Sequence, residues 1–225
     1  MERKKRGKST KTLLMEAFID DLLDRFRSNE RIAELSQLAR QYEFAFTSKE
    51  KFSNQPFFLK GFDIFKGKKS KRLKGILQKQ DPSFSGIIRI YDYTYYGEFK
   101  KRTTTIFEIK SEEFDFDKFE IRPKGTLNQI QEFFMDKEKP FPEKKEFHSK
   151  YEIKTNDSII FEGQAGSRVL EDIAKKKGLS VEGEADYLLL YYRNQRIPSK
   201  EMMLEYDFVL DLIEHILYDY SDDYV

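Results

Sequence analysis

The 225-residue chain contains neither cysteine nor tryptophan. Without cysteine it has no disulfide, no thiolate metal ligand and no cysteine nucleophile, and this absence favours a reducing compartment. The sequence also lacks any run approaching the roughly 18 apolar residues of a membrane helix, and its N-terminus lacks the apolar segment of a signal peptide. We therefore expect a soluble, cytoplasmic protein.

Histidine is scarce, and the familiar catalytic motifs are absent. The two histidines, His148 and His215, have no spacing that would place them on one metal ion. There is no G-x-S-x-G elbow, no P-loop and no dinucleotide fingerprint. Residues 163–168 (G-Q-A-G-S-R) lack the P-loop lysine, so we interpret them as a turn with Ser167 as a helix N-cap rather than as an anion site. We predict no catalytic residue, no metal and no cofactor.

Acidic residues are abundant in residues 112–120. Asp115 and Asp117 would share one face of a strand, while Phe114 and Phe116 occupy the other. Two acids on one face could bind Ca²⁺ or Mg²⁺, but the EF-hand pattern fails because Phe119 stands where a third oxygen ligand belongs. A solvated strand edge that discourages edge-to-edge pairing is the better interpretation.

Positive charge is concentrated in the first half of the chain. Residues 1–110 carry about 25 Lys and Arg against 14 Asp and Glu, whereas the remainder is acidic by roughly ten charges. The sharpest basic runs lie in residues 3–8 and in a predicted loop at residues 66–74. Each run is either a solvated segment or a binding site for an anionic partner. If the run at residues 66–74 binds such a partner, Lys68, Lys69 and Arg72 are the candidate contacts.

Aromatic side chains are plentiful, with 21 Phe and 13 Tyr, so large rings are expected to dominate the core. Residues 86–96 (G-I-I-R-I-Y-D-Y-T-Y-Y) predict a β-strand with large side chains on both faces, paired in an antiparallel hairpin with residues 103–110. Its tyrosines are interpreted as packed, with a stacking platform for bases or sugars as the alternative. Arg89, Asp92 and Tyr93 are the candidate binding residues of this strand.

Apolar periodicity predicts the remaining elements. Predicted helices cover residues 12–26, 29–40, 126–135, 167–177 and 198–218, and further strands cover residues 42–46, 73–79, 118–122, 147–153, 179–184 and 187–192. We therefore expect an α+β fold in which an antiparallel sheet meander has helices packed on one side, with an amphipathic N-terminal helix and a C-terminal helix. A disordered basic tail (1–11), a single domain (12–220, with a subdivision near 136–146 as the alternative) and a frayed acidic tail (221–225) complete the expected organisation.

Several motifs of the chain resemble a group of uncharacterised bacterial domains. They are L-A-R-Q-Y-E-F-A-F (38–46), I-Y-D-Y-T-Y (90–95), F-E-I-R-P (119–123), F-H-S-K-Y-E-I (147–153) and S-V-E-G-E-A-D-Y-L-L-L-Y-Y-R (180–193). The resemblance spans about residues 30–218. It implies a domain of unknown function, often preceded by membrane helices in relatives, although we expect none before Leu38 here.

Three functions remain open from the sequence. The leading hypothesis is a non-catalytic binding or scaffold domain with a protein partner. The second is binding of nucleic acid or an anionic lipid surface through the basic tail and residues 66–74. The third, with least support, is a hydrolase that uses carboxylates such as Asp92 or Asp115.

Overall fold

The computed structural model describes residues 10–97, 100–125 and 140–222, with side chains described from Phe26 in the first helix and up to Leu217 in the last. The strands are β1 (Ala45–Lys51), β2 (Lys69–Asp81), β3 (Gly86–Tyr96), β4 (Lys101–Ser111), β5 (Phe116–Pro123), β6 (Tyr151–Thr155), β7 (Leu179–Ala185) and β8 (Tyr187–Tyr192). The helices are α1 (Thr10–Gln41), α2 (Lys145–Lys150), α3 (Ser158–Lys175) and α4 (Met202–Asp222).

The eight strands form one antiparallel sheet in the order β1-β2-β3-β4-β8-β7-β5-β6. The first four strands are a meander, and the predicted hairpin is confirmed by pairs such as Ile90 with Phe107 and Tyr93 with Thr104. The meander does not continue into β5, because the hairpin of β7 and β8 lies between β4 and β5. The α+β class is therefore confirmed, with a crossover that a local pattern does not reveal.

Each face of the sheet has its own apolar core. The helices pack on one face, as predicted, over a core that includes Ile88, Ile90 and Phe107. The opposite face is covered by residues 52–66, which we call the cap; two 3₁₀ turns, Phe52–Asn54 and Phe58–Gly61, shape it. Apolar side chains of the cap pack on Tyr91, Tyr93 and other residues of this face. Both faces of β3 are consequently buried, which explains its large side chains on both sides.

The two predicted N-terminal helices are one helix, α1. Asn29 suggested a boundary because asparagine favours N-cap positions. The helix continues through Asn29, and the adjacent Ser28 hydroxyl accepts a hydrogen bond from Lys74 Nζ on β2 at 2.8 Å. With no proline or glycine nearby, nothing in the backbone ends the helix at this point.

Three other sequence predictions are corrected. The loop at residues 66–74 becomes strand β2 from Lys69 onward, because its backbone pairs with β3. Phe147 belongs to α2, and the strand begins only at Tyr151. Residues 163–168 lie inside α3, which begins with an Asp157 cap and is interrupted at Gly166 (φ 64°).

Some predictions fall wholly or partly outside the described residues. They are the helix at residues 126–135, most of the basic tail at 1–11, part of the connection at 136–146, and the end of the acidic tail at 221–225. The domain boundaries likewise stay predictions.

Gly75 is required by the contact between α1 and β2. Its φ is +59°, and a Cβ atom there would lie 2.4 Å from Leu35 Cδ1 of α1. We expect Gly75→Ala to lower the free energy of unfolding by about 1 to 3 kcal/mol, because both the left-handed backbone and the close packing oppose a side chain. Gly163→Ala is the control, since a Cβ there meets nothing within 4 Å. That helical substitution should raise stability by about 0.5 to 1 kcal/mol, and urea unfolding that gave both variants the same sign would contradict the account.

Candidate binding surface: a basic cleft beside helix α1

Asp92 and Arg31 form a buried ion pair that joins β3 to α1. Arg31 Nε lies 3.0 Å from Asp92 Oδ2, and Nη2 lies 3.3 Å from Oδ1. Thr105 on β4 donates a further hydrogen bond to Oδ1 at 2.7 Å. Both charged side chains are almost fully buried. Asp92 therefore holds the helix on the sheet, and its oxygens are already occupied.

The same arginine also holds the connection between β8 and α4. Its Nη1 donates to Ser199 Oγ at 2.6 Å, and its Nη2 donates to the Ile197 carbonyl at 2.8 Å. Ser199 in turn donates to Glu34 at 2.5 Å. One guanidinium thus fixes the relative positions of α1, β3 and residues 197–199.

Arg89 has a comparable structural network on the cap face. Its guanidinium donates to Gln55 at 2.9 Å, to Glu108 at 3.0 Å and to Glu50 at 2.7 Å. Burial alone would lower the pKa of Arg89, but the neighbouring carboxylates, Glu108 above all, raise it. Arg89 consequently anchors Gln55 of the cap to the sheet.

Tyr93 is part of the aromatic core under the cap. Its ring packs edge-on against Phe65 at 4.9 Å, stacks on Tyr95 at 5.1 Å and contacts Phe52 at 5.8 Å between centroids. Its hydroxyl is buried without a hydrogen-bond partner within the described part of the chain. Burial raises the pKa of Tyr93 well above its ordinary value. The packed interpretation of this tyrosine is the one that its surroundings favour.

The three basic candidates do not form one cluster. Lys68 lies on the cap face, with its ammonium 5.3 Å from the centre of the Tyr95 ring. Lys69 and Arg72 are opposite Tyr96 and Thr94 on β3, so they face the helix side. Lys68 and Lys69 lie on opposite faces because neighbouring residues of an extended chain alternate. A β-bulge between Lys69 and Arg72 puts these two residues, three positions apart, on the same face.

Positive side chains converge instead in a cleft between α1, strands β2 to β4 and the connection from β8 to α4. We call it the basic cleft. Its inner part is a cavity of about 250 Å³ lined by Arg27, Arg31, Lys74, Lys101 and Arg196, together with Asp92 and the hydroxyls of Ser28, Thr94 and Thr103. A second cavity of about 590 Å³ shares Arg27, Arg31 and Arg196 and adds Glu30, Glu34 and Lys200. Among the described residues that line the inner part, Asp92 is the one carboxylate, and Arg31 pairs with it.

The positive charge continues along the outer strands. Lys51 is directly opposite Arg72, and Lys49 is directly opposite Lys74, in the pairing of β1 with β2. Like charges in opposite positions repel each other, so these pairs concentrate positive charge on this part of the sheet. The basic surface therefore extends from the cleft to the edge strand β1.

Arg27 and Arg196 are the residues that sequence reasoning missed. They are 169 positions apart and each lies outside a basic run. No local pattern joins them, since the cleft arises where α1 crosses the sheet beside residues 196–200.

The other candidates occupy separate places. Asp115 and Asp117 are exposed while Phe114 and Phe116 are buried, as the alternating pattern predicts. His215 Nδ1 lies 2.6 Å from Asp172, whereas His148 Nε2 lies 2.9 Å from the Pro140 carbonyl oxygen. Over the described residues, no three His, Asp or Glu side chains are grouped as a metal ion would require.

Comparison with known proteins shows a shared fold. No protein-family model and no curated protein sequence matches the chain. The chain is similar to the crystal structure of the mycobacterial trehalose monomycolate transport factor A, TtfA, with a TM-score of 0.53 and 11% sequence identity, over 84% of this chain and 93% of that chain. These findings are consistent with the resemblance to uncharacterised domains. Among the helices that the structure describes, none has the length and apolar character needed to cross a bilayer.

Proposed function

We propose that this chain is a non-catalytic binding domain and that the basic cleft binds an acidic segment of a partner protein. The observation that carries this proposal is the convergence of five cationic side chains on one polar cavity, where Asp92, which Arg31 already pairs, is the one carboxylate among the described lining residues. Carboxylates of a partner would find both charge and hydroxyl donors there. The rigid junction formed by Arg31 would hold these groups in place before the partner arrives, which lowers the entropic cost of binding.

A protein segment suits this cleft better than nucleic acid does. The described lining of the two cavities contains no aromatic side chain on which a base could stack. The outer cavity also contains Glu30 and Glu34, which would repel a continuous phosphate backbone. A protein partner can present basic groups to these two glutamates and acidic groups to the inner cleft. Mixed charge thus favours the leading hypothesis over the nucleic-acid alternative.

The test uses charge reversal at the two exposed arginines of the cleft. We expect Arg27→Glu/Arg196→Glu to weaken binding of a fluorescent peptide rich in aspartate and glutamate by at least about tenfold, which corresponds to about 1.4 kcal/mol. Fluorescence anisotropy at several salt concentrations is the measurement. A single-stranded oligonucleotide of equal charge serves as the competing probe.

The matched control is Lys145→Glu/Lys177→Glu, which changes the net charge by the same amount at exposed positions outside the cleft lining. It should leave peptide binding nearly unchanged. Equal loss in both double variants would show that only overall charge matters, and tighter binding of the oligonucleotide would favour the nucleic-acid function.

A further inference from the structure

The outer surface of the cap presents two adjacent phenylalanines to solvent. Phe57 is 90% exposed and Phe58 is 37% exposed. Phe58 contacts Tyr187 at 5.9 Å and Phe62 at 6.0 Å between ring centroids, so it is partly held by the core. Among the described residues no aromatic ring contacts Phe57, so its ring is left almost wholly to solvent.

Hydrogen bonds on both sides of Phe57 and Phe58 hold this apolar tip of the cap in place. The backbone N–H groups of Asp63 and Ile64 donate to the buried Glu182 carboxylate on β7, at 2.6 Å and 3.0 Å. Gln55, immediately before the tip, is bonded to Glu50 and Arg89. The phenylalanines are therefore presented at a fixed position rather than on a loose loop.

Lysines surround the cap in excess over acids. Asp63, Glu184 and Asp186 are each paired with a lysine, namely Lys66, Lys118 and Lys110. Lys60, Lys68 and Lys71 are three further lysines of this face, and they form no ion pair with any side chain that the structure describes. Lys68 and Lys71 lie over the Tyr95 and Phe52 rings, at 5.3 Å and 4.7 Å. Burial, followed by repulsion from Lys60 and Lys68, lowers the pKa of Lys71, as expected where cations are crowded.

We propose that the cap docks on an anionic lipid bilayer, with Phe57 and Phe58 entering the headgroup region and Lys60, Lys68 and Lys71 contacting acidic lipids. Exposed aromatic residues beside lysines are the combination by which peripheral proteins bind such surfaces. Charge complementarity decides the occupant, because a neutral apolar partner would leave the three lysines without counter-charges. This surface is on the opposite side of the sheet from the basic cleft, so the two sites do not overlap.

A second pair of exposed apolar residues provides a matched comparison. Ile159 is 79% exposed and Ile160 is 43% exposed, and they adjoin each other at the start of α3. The Asp157 carboxylate accepts hydrogen bonds from both of their backbone N–H groups. This pair has similar exposure but an acidic neighbour, so it should not bind an anionic bilayer.

The test is co-sedimentation of the full chain with vesicles of phosphatidylcholine alone or mixed with phosphatidylserine. We expect binding to the mixed vesicles only, reduced at least about tenfold by Phe57→Ser and by Lys68→Glu/Lys71→Glu. Ile159→Ser should bind like the natural chain. Because the Phe57 ring is almost fully exposed, its loss should leave urea unfolding unchanged, which separates lost docking from lost folding.

Two results would overturn the proposal. One is equal binding to both vesicle types or to neither. The other is retention of vesicle binding by Phe57→Ser, which would place the contact elsewhere; a cap that instead binds a protein would give no sedimentation with either vesicle.

Discussion

Replacing Asp92 with alanine is expected to lower the free energy of unfolding by about 3 to 5 kcal/mol, because it leaves the Arg31 charge buried without its partner. The bonds of the same guanidinium to Ser199 and to the Ile197 carbonyl hold it in this buried position, so its charge stays desolvated when Asp92 is removed. Chemical denaturation followed by circular dichroism measures it. The sequence had marked Asp92 as a binding or catalytic candidate, and this result would assign it to stability.

The double variant Arg31→Met/Asp92→Ala distinguishes a broken pair from a lost contact. Removing both charges should restore a substantial part of the stability that either single substitution removes. Strict additivity of the two single losses would contradict the buried ion pair.

Replacing Tyr93 with alanine is expected to cost about 3 to 5 kcal/mol, because the ring is buried against Phe52, Phe65 and Tyr95. Replacing it with phenylalanine should be neutral or stabilising by about 1 kcal/mol, since its hydroxyl has no hydrogen-bond partner in the described structure. Urea unfolding of both variants is the measurement.

The two Tyr93 substitutions together separate the role of the hydroxyl from that of the ring. A phenylalanine variant as unstable as the alanine variant would mean that the hydroxyl forms a bond essential to the fold. Small effects from both would mean that the cap does not pack on this face as described.

The elements with strong local signals were predictable. Residues 86–96 are rich in isoleucine and tyrosine, residues 179–184 alternate apolar and polar side chains, and residues 187–192 are a short apolar run; the structure contains all three predicted strands. The helix boundary predicted at Asn29 was wrong, because α1 continues through it and the adjacent Ser28 hydrogen-bonds to Lys74 of β2. The sequence also did not predict the cap as one element. Residues 52–66 show neither the helical period of 3.6 residues nor the strand period of two, and side chains of distant strands hold them in place.

The candidate sites were less predictable than the fold for a similar reason. Arg89, Asp92 and Tyr93 are polar or aromatic residues of a strand, and such residues are typical of a binding surface. Only the structure shows that their partners lie within the chain, on α1, β1 and the cap. The basic run at residues 66–74 was a correct signal of charge, but its side chains are divided between the two faces. The cleft itself depends on Arg27 and Arg196, which only the folded chain brings together.

Site-specific photocrosslinking in the cell of origin would identify what occupies the basic cleft. A photoreactive benzoylphenylalanine in place of Gln37, which lines the outer part of the basic cleft, is compared with the same group in place of Lys177, which is exposed outside it. We expect a crosslink from position 37, and not from position 177, to an acidic segment of a partner protein. The product should disappear when Arg27→Glu/Arg196→Glu is added. A crosslink to nucleic acid, or the same product from both positions, would contradict the proposal that the cleft binds an acidic protein segment.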